Sequence, residues 1–184
     1  MMETEKAVRR YLEGDEEAFN RIVSRWERKV YSLAWRMVGN HEDAQDIVQD
    51  TFLSVFRSLK GLRDPGTFPT WLYQITLNHC RSRWKARNPD VSLSDGEAVL
   101  QGVSGAATDG RSDSVETMDI IRKALANLSE DHRTAIVLKE YLGLSLEEIA
   151  DVMECPLSTA KSRLYHGLMT VQRNLKRLGL KAEG

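Results

Sequence analysis

Cysteine is nearly absent from this 184-residue chain, which holds only Cys80 and Cys155, far apart and outside any C-x-x-C pattern. Two such residues build no disulfide framework, and without a nearby cysteine or histidine ligand set they give no zinc site. His79 beside Cys80 is not a catalytic pair, because neighbours on a helix point about 100° apart. Both cysteines therefore read as structural. Long apolar runs are missing too, so no segment is expected to insert in a bilayer. No basic stretch followed by an apolar one opens the chain, and a cytoplasmic protein is expected. A P-loop is absent, as are clustered nucleophile-and-base residues and grouped metal-binding carboxylates. Catalysis, a metal and a cofactor are accordingly not expected.

Charge of one sign is missing locally rather than overall. The formal net charge is −1, which on its own argues against a polyanion partner. Yet residues 65–89 contain no Asp or Glu while carrying Arg81, Arg83, Lys85 and Arg87. Residues 155–182 are equally free of acids and hold Lys161, Arg163, Arg173, Lys176, Arg177 and Lys181. A near-neutral total thus conceals two basic surfaces, the electrostatic footprint of nucleic-acid binding.

Apolar spacing predicts an all-α fold of two small helical domains. Residues 4–13 place Ala7, Val8, Tyr11 and Leu12 on one face before Gly14. Asp15 can cap a helix whose inner face runs Phe19, Ile22, Val23, Trp26, Val30, Leu33, Ala34 and Met37, stopping at Gly39. Asn40 can cap the next, with the row Ala44, Ile47, Val48, Thr51, Phe52, Val55, Phe56 and Leu59. Gly61 and Asp64-Pro65-Gly66 mark turns, and a further helix closes at Asn88-Pro89. Residues 89–114 dissolve into Ser, Gly, Asp and Ala, a flexible acidic linker between a first domain at 1–88 and a second at 115–184. The second domain opens with Val115, Met118, Ile121, Leu125 and Leu128. Ser129 can cap a helix with Ala135, Leu138, Tyr141 and Leu142 inward, ended by Gly143. Ser145-Leu146-Glu147-Glu148 matches a capping box. Glu154-Cys155-Pro156 then forces a turn into a last, basic helix, giving a helix-turn-helix.

Three surfaces carry candidate chemistry. Phe68, Trp71 and Tyr73 precede Arg81, Arg83 and Lys85, an order of rings then bases that suits unpaired nucleotides stacking while their phosphates meet cations. Leu72, Ile75, Thr76 and His79 share an inner face of the same helix. Asp43, Asp46, Gln49 and Asp50 form a compact acidic face. The helix dipole favours acids within the first turn only, and Asp50 lies beyond it, so a basic partner surface is a reasonable reading. Ser158, Thr159, Lys161, Ser162, Tyr165 and His166 are the outward positions of the last helix, and small hydroxyls with a lysine near its start suit major-groove entry.

Four stretches together resemble the extracytoplasmic-function sigma factors of bacterial RNA polymerase. They are Gly14-Asp15-Glu16-Glu17-Ala18-Phe19, Asp43-Ala44-Gln45-Asp46-Ile47-Val48-Gln49-Asp50-Thr51-Phe52, Thr70-Trp71-Leu72-Tyr73 through Asn78, and Leu144-Ser145-Leu146-Glu147-Glu148-Ile149-Ala150 through Ser162-Arg163. The resemblance implies sigma regions two and four without a folded region three. It implies partners: the clamp helices of the largest core polymerase subunit, the flap of the second-largest, promoter DNA both duplex and single-stranded, and an anti-sigma factor. It places Asp43, Asp46, Gln49 and Asp50 at the polymerase. It places Arg63, Thr67, Phe68, Thr70, Trp71, Gln74, Asn78, Arg81, Arg83 and Lys85 at the minus-10 element, with the loop at 62–67 capturing an extruded base. Ser158, Thr159, Lys161, Ser162, Arg163, Tyr165 and His166 fall at the minus-35 duplex. Gln74 stands where the family commonly has arginine, Pro69 stiffens the approach to Trp71, and Leu168-Met169 replace a frequent basic-acidic pair. A free-standing helix-turn-helix regulator would explain the second half as well, but not the rings, bases and acidic face of the first.

Overall fold

The computed structural model describes residues 2–87, 124–125 and 128–177, and every regular element among them is helical. Helix α1 (Met2–Leu12) buries Val8 and Tyr11. Asp15 Oδ1 accepts from the Ala18 amide at 3.3 Å, starting α2 (Glu17–Val38), whose row of Ala18, Ile22, Trp26, Val30, Leu33, Ala34 and Met37 is buried. Gly39 ends it at φ 78°, donating its N–H to the Trp35 carbonyl at 2.7 Å. That left-handed backbone is strained for any residue with a Cβ.

Helix α3 (His41–Ser58) begins where Asn40 Oδ1 accepts from the Asp43 amide at 2.8 Å. Ala44, Ile47, Val48, Thr51, Phe52 and Val55 face inward as their spacing requires. Phe56, expected on that row, is exposed instead. It lies edge-on to Phe19 at 5.2 Å between centroids and 6.3 Å from Tyr11, so its ring covers α1 and α2 from outside rather than entering the core. Two short 3-10 turns, Leu59–Gly61 and Pro65–Thr67, lead to α4 (Phe68–Arg87). Phe68, Leu72 and Thr76, spaced by four, are fully buried along one row, with Tyr73, Leu77 and Cys80 beside them.

The expected linker lies outside the described residues, as does most of the helix expected over residues 115–128; Ala124, Leu125 and Leu128 of that segment are buried. Ser129 Oγ accepts from the His132 amide at 3.4 Å and starts α5 (Glu130–Ile136). The helix expected to continue through Leu142 passes instead into a π turn, Val137–Tyr141, closed by the Leu142 amide on the Val137 carbonyl. The wider turn advances each residue by less than an α-helix does. Tyr141, counted as inner at α spacing, emerges partly exposed under the Arg36 guanidinium, 4.0 Å from its ring centroid.

After Gly143 the capping box is complete: Ser145 Oγ accepts from the Glu148 amide at 3.1 Å and Glu148 Oε2 from the Ser145 amide at 2.7 Å. It opens α6 (Leu146–Val152), and the turn through Glu154, at φ 50°, leads into α7 (Leu157–Arg177). Gly167 sits where α7 crosses α5. A Cβ there would stand 2.9 Å from Ile136 Cδ1 and 3.1 Å from the His132 carbonyl, so the crossing distance depends on its absence.

The two halves touch. Helix α4 packs on α6, and α2 on α5 and the π turn. Arg133, buried in this seam, donates to the Met37 carbonyl at 3.1 Å and to those of Leu125 and Leu128 at 3.1 and 3.4 Å. One guanidinium thereby satisfies acceptors from both halves, which is why a buried charge is tolerated there.

Candidate nucleic-acid interface

The ring-and-base stretch divides once its helix is packed. Phe68, expected to face a base, is fully buried with its ring edge-on to Trp26 at 6.0 Å. The reason is its spacing, four residues before Leu72 on the core row, and burying a side chain of that size contributes roughly 1.5–3 kcal/mol. Trp71 is half-buried and rests on Phe68 at 6.1 Å, so it alone of the two offers a face to a base. Before it, Arg63 and Thr67 are exposed, and Asp64 shapes the loop by accepting from the Gly66 amide at 2.9 Å and, through its carbonyl, from Thr67 Oγ1 at 2.8 Å. Thr70 is half-buried beside Trp71.

Further along α4, several expected DNA contacts already have protein partners. Gln74 Nε2 donates to the Asp151 carbonyl of α6 at 3.0 Å. Exposed Asn78 accepts from Arg81 at 3.3 Å, and Arg81 Nε donates to Glu130 of α5 at 2.6 Å. Lys85 is exposed. Arg83 turns to α3, 3.0 Å from Asp46 Oδ2 and 3.8 Å from Asp43 Oδ1. Cys80 is buried and its thiol is pushed up to about 12, mainly by burial, which makes it inert at neutral pH. His79 Nε2 meets Ser54 Oγ at 3.0 Å, away from that thiol's chemistry.

The acidic face of α3 is narrower than its sequence suggests. Asp43 is buried, its carboxylate accepting from Asn40 Nδ2 at 2.6 Å. It lies one turn before Ile47 on the inner side of the helix, where it serves the helix start rather than an outside partner. Asp46, Gln49 and Asp50 are exposed. Arg83 partly neutralises Asp46, whereas Asp50 has no ion-pair partner among the described residues.

On α7, Ser158, Lys161, Ser162, Tyr165 and His166 face outward and Thr159 is half-buried. Arg163 differs, since its guanidinium pairs with Asp131 of α5 and so braces the helix-turn-helix from behind. His132 is held below the ordinary histidine value by burial and by nearby His166 and Arg163, against an upward pull from Asp131. An imidazole so placed stays neutral at neutral pH.

Some participants escaped the sequence. Arg133 reads as one more base in a polar helix, and Asn174, buried with Nδ2 donating to the Ala124 carbonyl at 2.9 Å, reads as surface. Arg25 and Lys29 of α2 are exposed beside the loop before α4. Their signal in the sequence is a like-charged i,i+4 pair, a spacing that repels mildly unless an anion relieves it.

Comparison with known proteins accounts for both halves. Residues 22–89 match the family model Sigma-70 region 2, and residues 118–177 match Sigma-70, region 4. The ECF RNA polymerase sigma-E factor of Haemophilus influenzae is 35% identical over 179 residues, covering 93% of this chain and 94% of that one. The RNA polymerase sigma-H factor of Pseudomonas aeruginosa is 32% identical over 184 residues, covering 95% and 94%. Among solved structures, the Bartonella quintana sigma factor RpoE, in complex with the anti-sigma factor NepR, superposes with a TM-score of 0.71 at 28% identity, covering 86% of this chain and 96% of that one. CnrH, in complex with the cytosolic domain of CnrY, has the same fold, with a TM-score of 0.71 at 23% identity over 95% of this chain and 98% of that one. With region two in its first half, region four in its second and relatives of near-equal length, the chain belongs to the extracytoplasmic-function sigma factors of RNA polymerase.

Proposed function

We propose that this sigma factor docks on core RNA polymerase through Asp46, Gln49 and Asp50, reads a minus-35 duplex with α7, and traps the unpaired minus-10 strand beside Trp71. The flap of the second-largest subunit is the partner of the second half. The observation that supports this most is the separation of charges: exposed carboxylates on α3, and exposed hydroxyls with Lys161 at the start of α7. An acidic patch steers toward a basic protein surface and repels DNA, so the two kinds of partner are sorted by sign. The factor acts in the cytoplasm, where core polymerase works. It catalyses no reaction; strand opening comes from stacking and pocket capture of bases, each worth about 1–3 kcal/mol. No cofactor or metal takes part. Among the described residues no helix is long and apolar enough to cross a membrane. An anti-sigma factor restrains the protein, a reading supported by the complex of its structural relative with the anti-sigma factor NepR.

Strand capture at α4 requires Gln74 and Arg81 to exchange Asp151 and Glu130 for DNA, so the halves part when the holoenzyme engages a promoter. Gel-shift titration of core polymerase with and without this chain on a promoter fragment tests the reading, and specific binding that needs the chain is the expected result. Trp71→Ala is expected to reduce affinity for a fork-junction probe with an unpaired minus-10 strand about 10- to 100-fold, with little change on a minus-35 duplex. Equal losses on both probes would mean that the ring is only structural. Lys161→Ala is expected to lower the salt slope of minus-35 binding by about 0.9 for its one phosphate contact. A slope unchanged from wild type would remove Lys161 from the interface.

A further inference from the structure

A cavity of about 250 Å³ opens between α2, the loop before α4 and the first turn of α4. Its floor is Trp26, fixed by Nε1 donating to Thr4 Oγ1 at 3.2 Å and packed edge-on against Phe68 at 6.0 Å and Tyr73 at 5.7 Å. Arg25 and Lys29 line one wall, and Gly66, Pro69 and Thr70 the other. Both bases are exposed, and neither forms an ion pair among the described residues. Lys29 Nζ sits 4.8 Å from the Trp26 ring centroid, a contact that holds the ammonium at the cavity rather than free in solvent.

Arg25 and Lys29 are one helical turn apart, with Arg21 one turn before them. Like charges in an i,i+4 column repel mildly in the free helix. Arg21 is relieved by Glu17 at 3.8 Å, whereas Arg25 and Lys29 have no such acid on α2. Opposite them lie Gly66 of the loop at 62–67 and Thr70 of α4. The loop and the α2 column thus share one cavity, into which a strand held by the loop can lay its phosphates.

We propose that Arg25 and Lys29 bind backbone phosphates of the unpaired minus-10 strand, making α2 a second wall of the single-strand channel. This rests on the function proposed above. The guanidinium of Arg25 can take two phosphate oxygens in parallel, while Lys29 acts as a point charge. Positions are fixed and no base edge is read, so the contact adds affinity without sequence preference. Leu142, Gly143, Leu144 and Glu148 of the second half close the remaining side of the cavity, so the strand enters once the halves have parted.

The test uses the full chain assembled with core polymerase and a fork-junction probe carrying a single-stranded minus-10 segment, titrated across salt concentrations. The double variant Arg25→Gln with Lys29→Gln is expected to bind the fork at least ~10-fold more weakly and to lower the log–log salt slope by about 1.4, or about 0.7 for each charge on a single strand. Affinity for core polymerase and for a minus-35 duplex stays at the wild-type value, which also shows that the variant folds. The swap Arg25→Lys with Lys29→Arg keeps the slope, and Arg21→Gln, outside the cavity, leaves it unchanged. A wild-type slope in the double variant overturns the assignment while the wider reading stands. A wild-type holoenzyme with no preference for the fork over blunt duplex overturns both.

Discussion

Asp50→Arg is expected to weaken binding to core RNA polymerase by about 10- to 100-fold, or roughly 1.4–2.8 kcal/mol, without changing the unfolding midpoint. Asp50 is exposed on α3, beyond the first turn, where the helix dipole no longer explains a carboxylate. Reversing its sign replaces an attraction with a like-charge clash against a basic surface, yet removes no intramolecular contact that the fold uses. Asp46 makes a poorer probe, because its carboxylate lies 3.0 Å from Arg83 and its loss would also free a base on α4. Asp43 is poorer still: it is buried, and its replacement would cost stability through the start of α3. The order expected in a fluorescence titration of core is therefore a clean affinity loss for Asp50→Arg, and mixed effects for the other two. Wild-type affinity for Asp50→Arg at low salt would sink the docking assignment.

Arg133→Leu should lower the free energy of unfolding by on the order of 3–5 kcal/mol, a large share of a typical domain's total. Leucine fills much of the space, so the loss is not a cavity effect. It comes from leaving the carbonyls of Met37, Leu125 and Leu128 without their donor inside the seam, at about 1–3 kcal/mol for each acceptor that water does not reach. Burial pushes the Arg133 guanidinium down to about 10, with Glu130 opposing the shift, so the group remains charged at neutral pH and its hydrogen bonds are charge-assisted. Arg133→Lys keeps the charge but cannot place donors on three carbonyls, and an intermediate loss is expected. Urea unfolding monitored by circular dichroism reads both variants. A loss below about 1 kcal/mol for Arg133→Leu would show that water replaces the guanidinium without penalty.

Much of the fold was legible because its helices begin and end with side chains whose chemistry is local. Asn40, Ser129 and the Ser145–Glu148 box cap where their spacing says they should, and Gly39 and Gly143 take the left-handed turns. What failed did so for reasons of register or of contact across the chain. The π turn at Val137–Tyr141 rotates Tyr141 outward, and no residue type there announces it. Phe68 was legible in principle: four residues before Leu72 and eight before Thr76, its place on the core row outweighed its aromatic chemistry. Asp43 likewise sits one turn before Ile47, and spacing would have moved it inward.

The candidate site was less legible than the fold, since its residues are paired with distant ones. Arg83 meets Asp46 across 37 positions, Gln74 meets Asp151 across 77, and Arg133 meets Met37 across 96. Periodicity along one helix carries no information about which base on α4 faces α3 and which faces the second half. Gly167 is the complementary case. An unremarked glycine in a long helix proves to set the distance between α5 and α7, and hence where α7 presents Lys161, Tyr165 and His166.

Run-off transcription with purified core RNA polymerase on a promoter library, in the presence and absence of this chain, tests the sigma-factor account most directly. The account predicts transcripts only when the chain is added, from templates sharing a minus-35 and a minus-10 element at fixed spacing, and their loss with Asp50→Arg. The same transcripts with core alone, or none with the chain at saturating concentration, would contradict it.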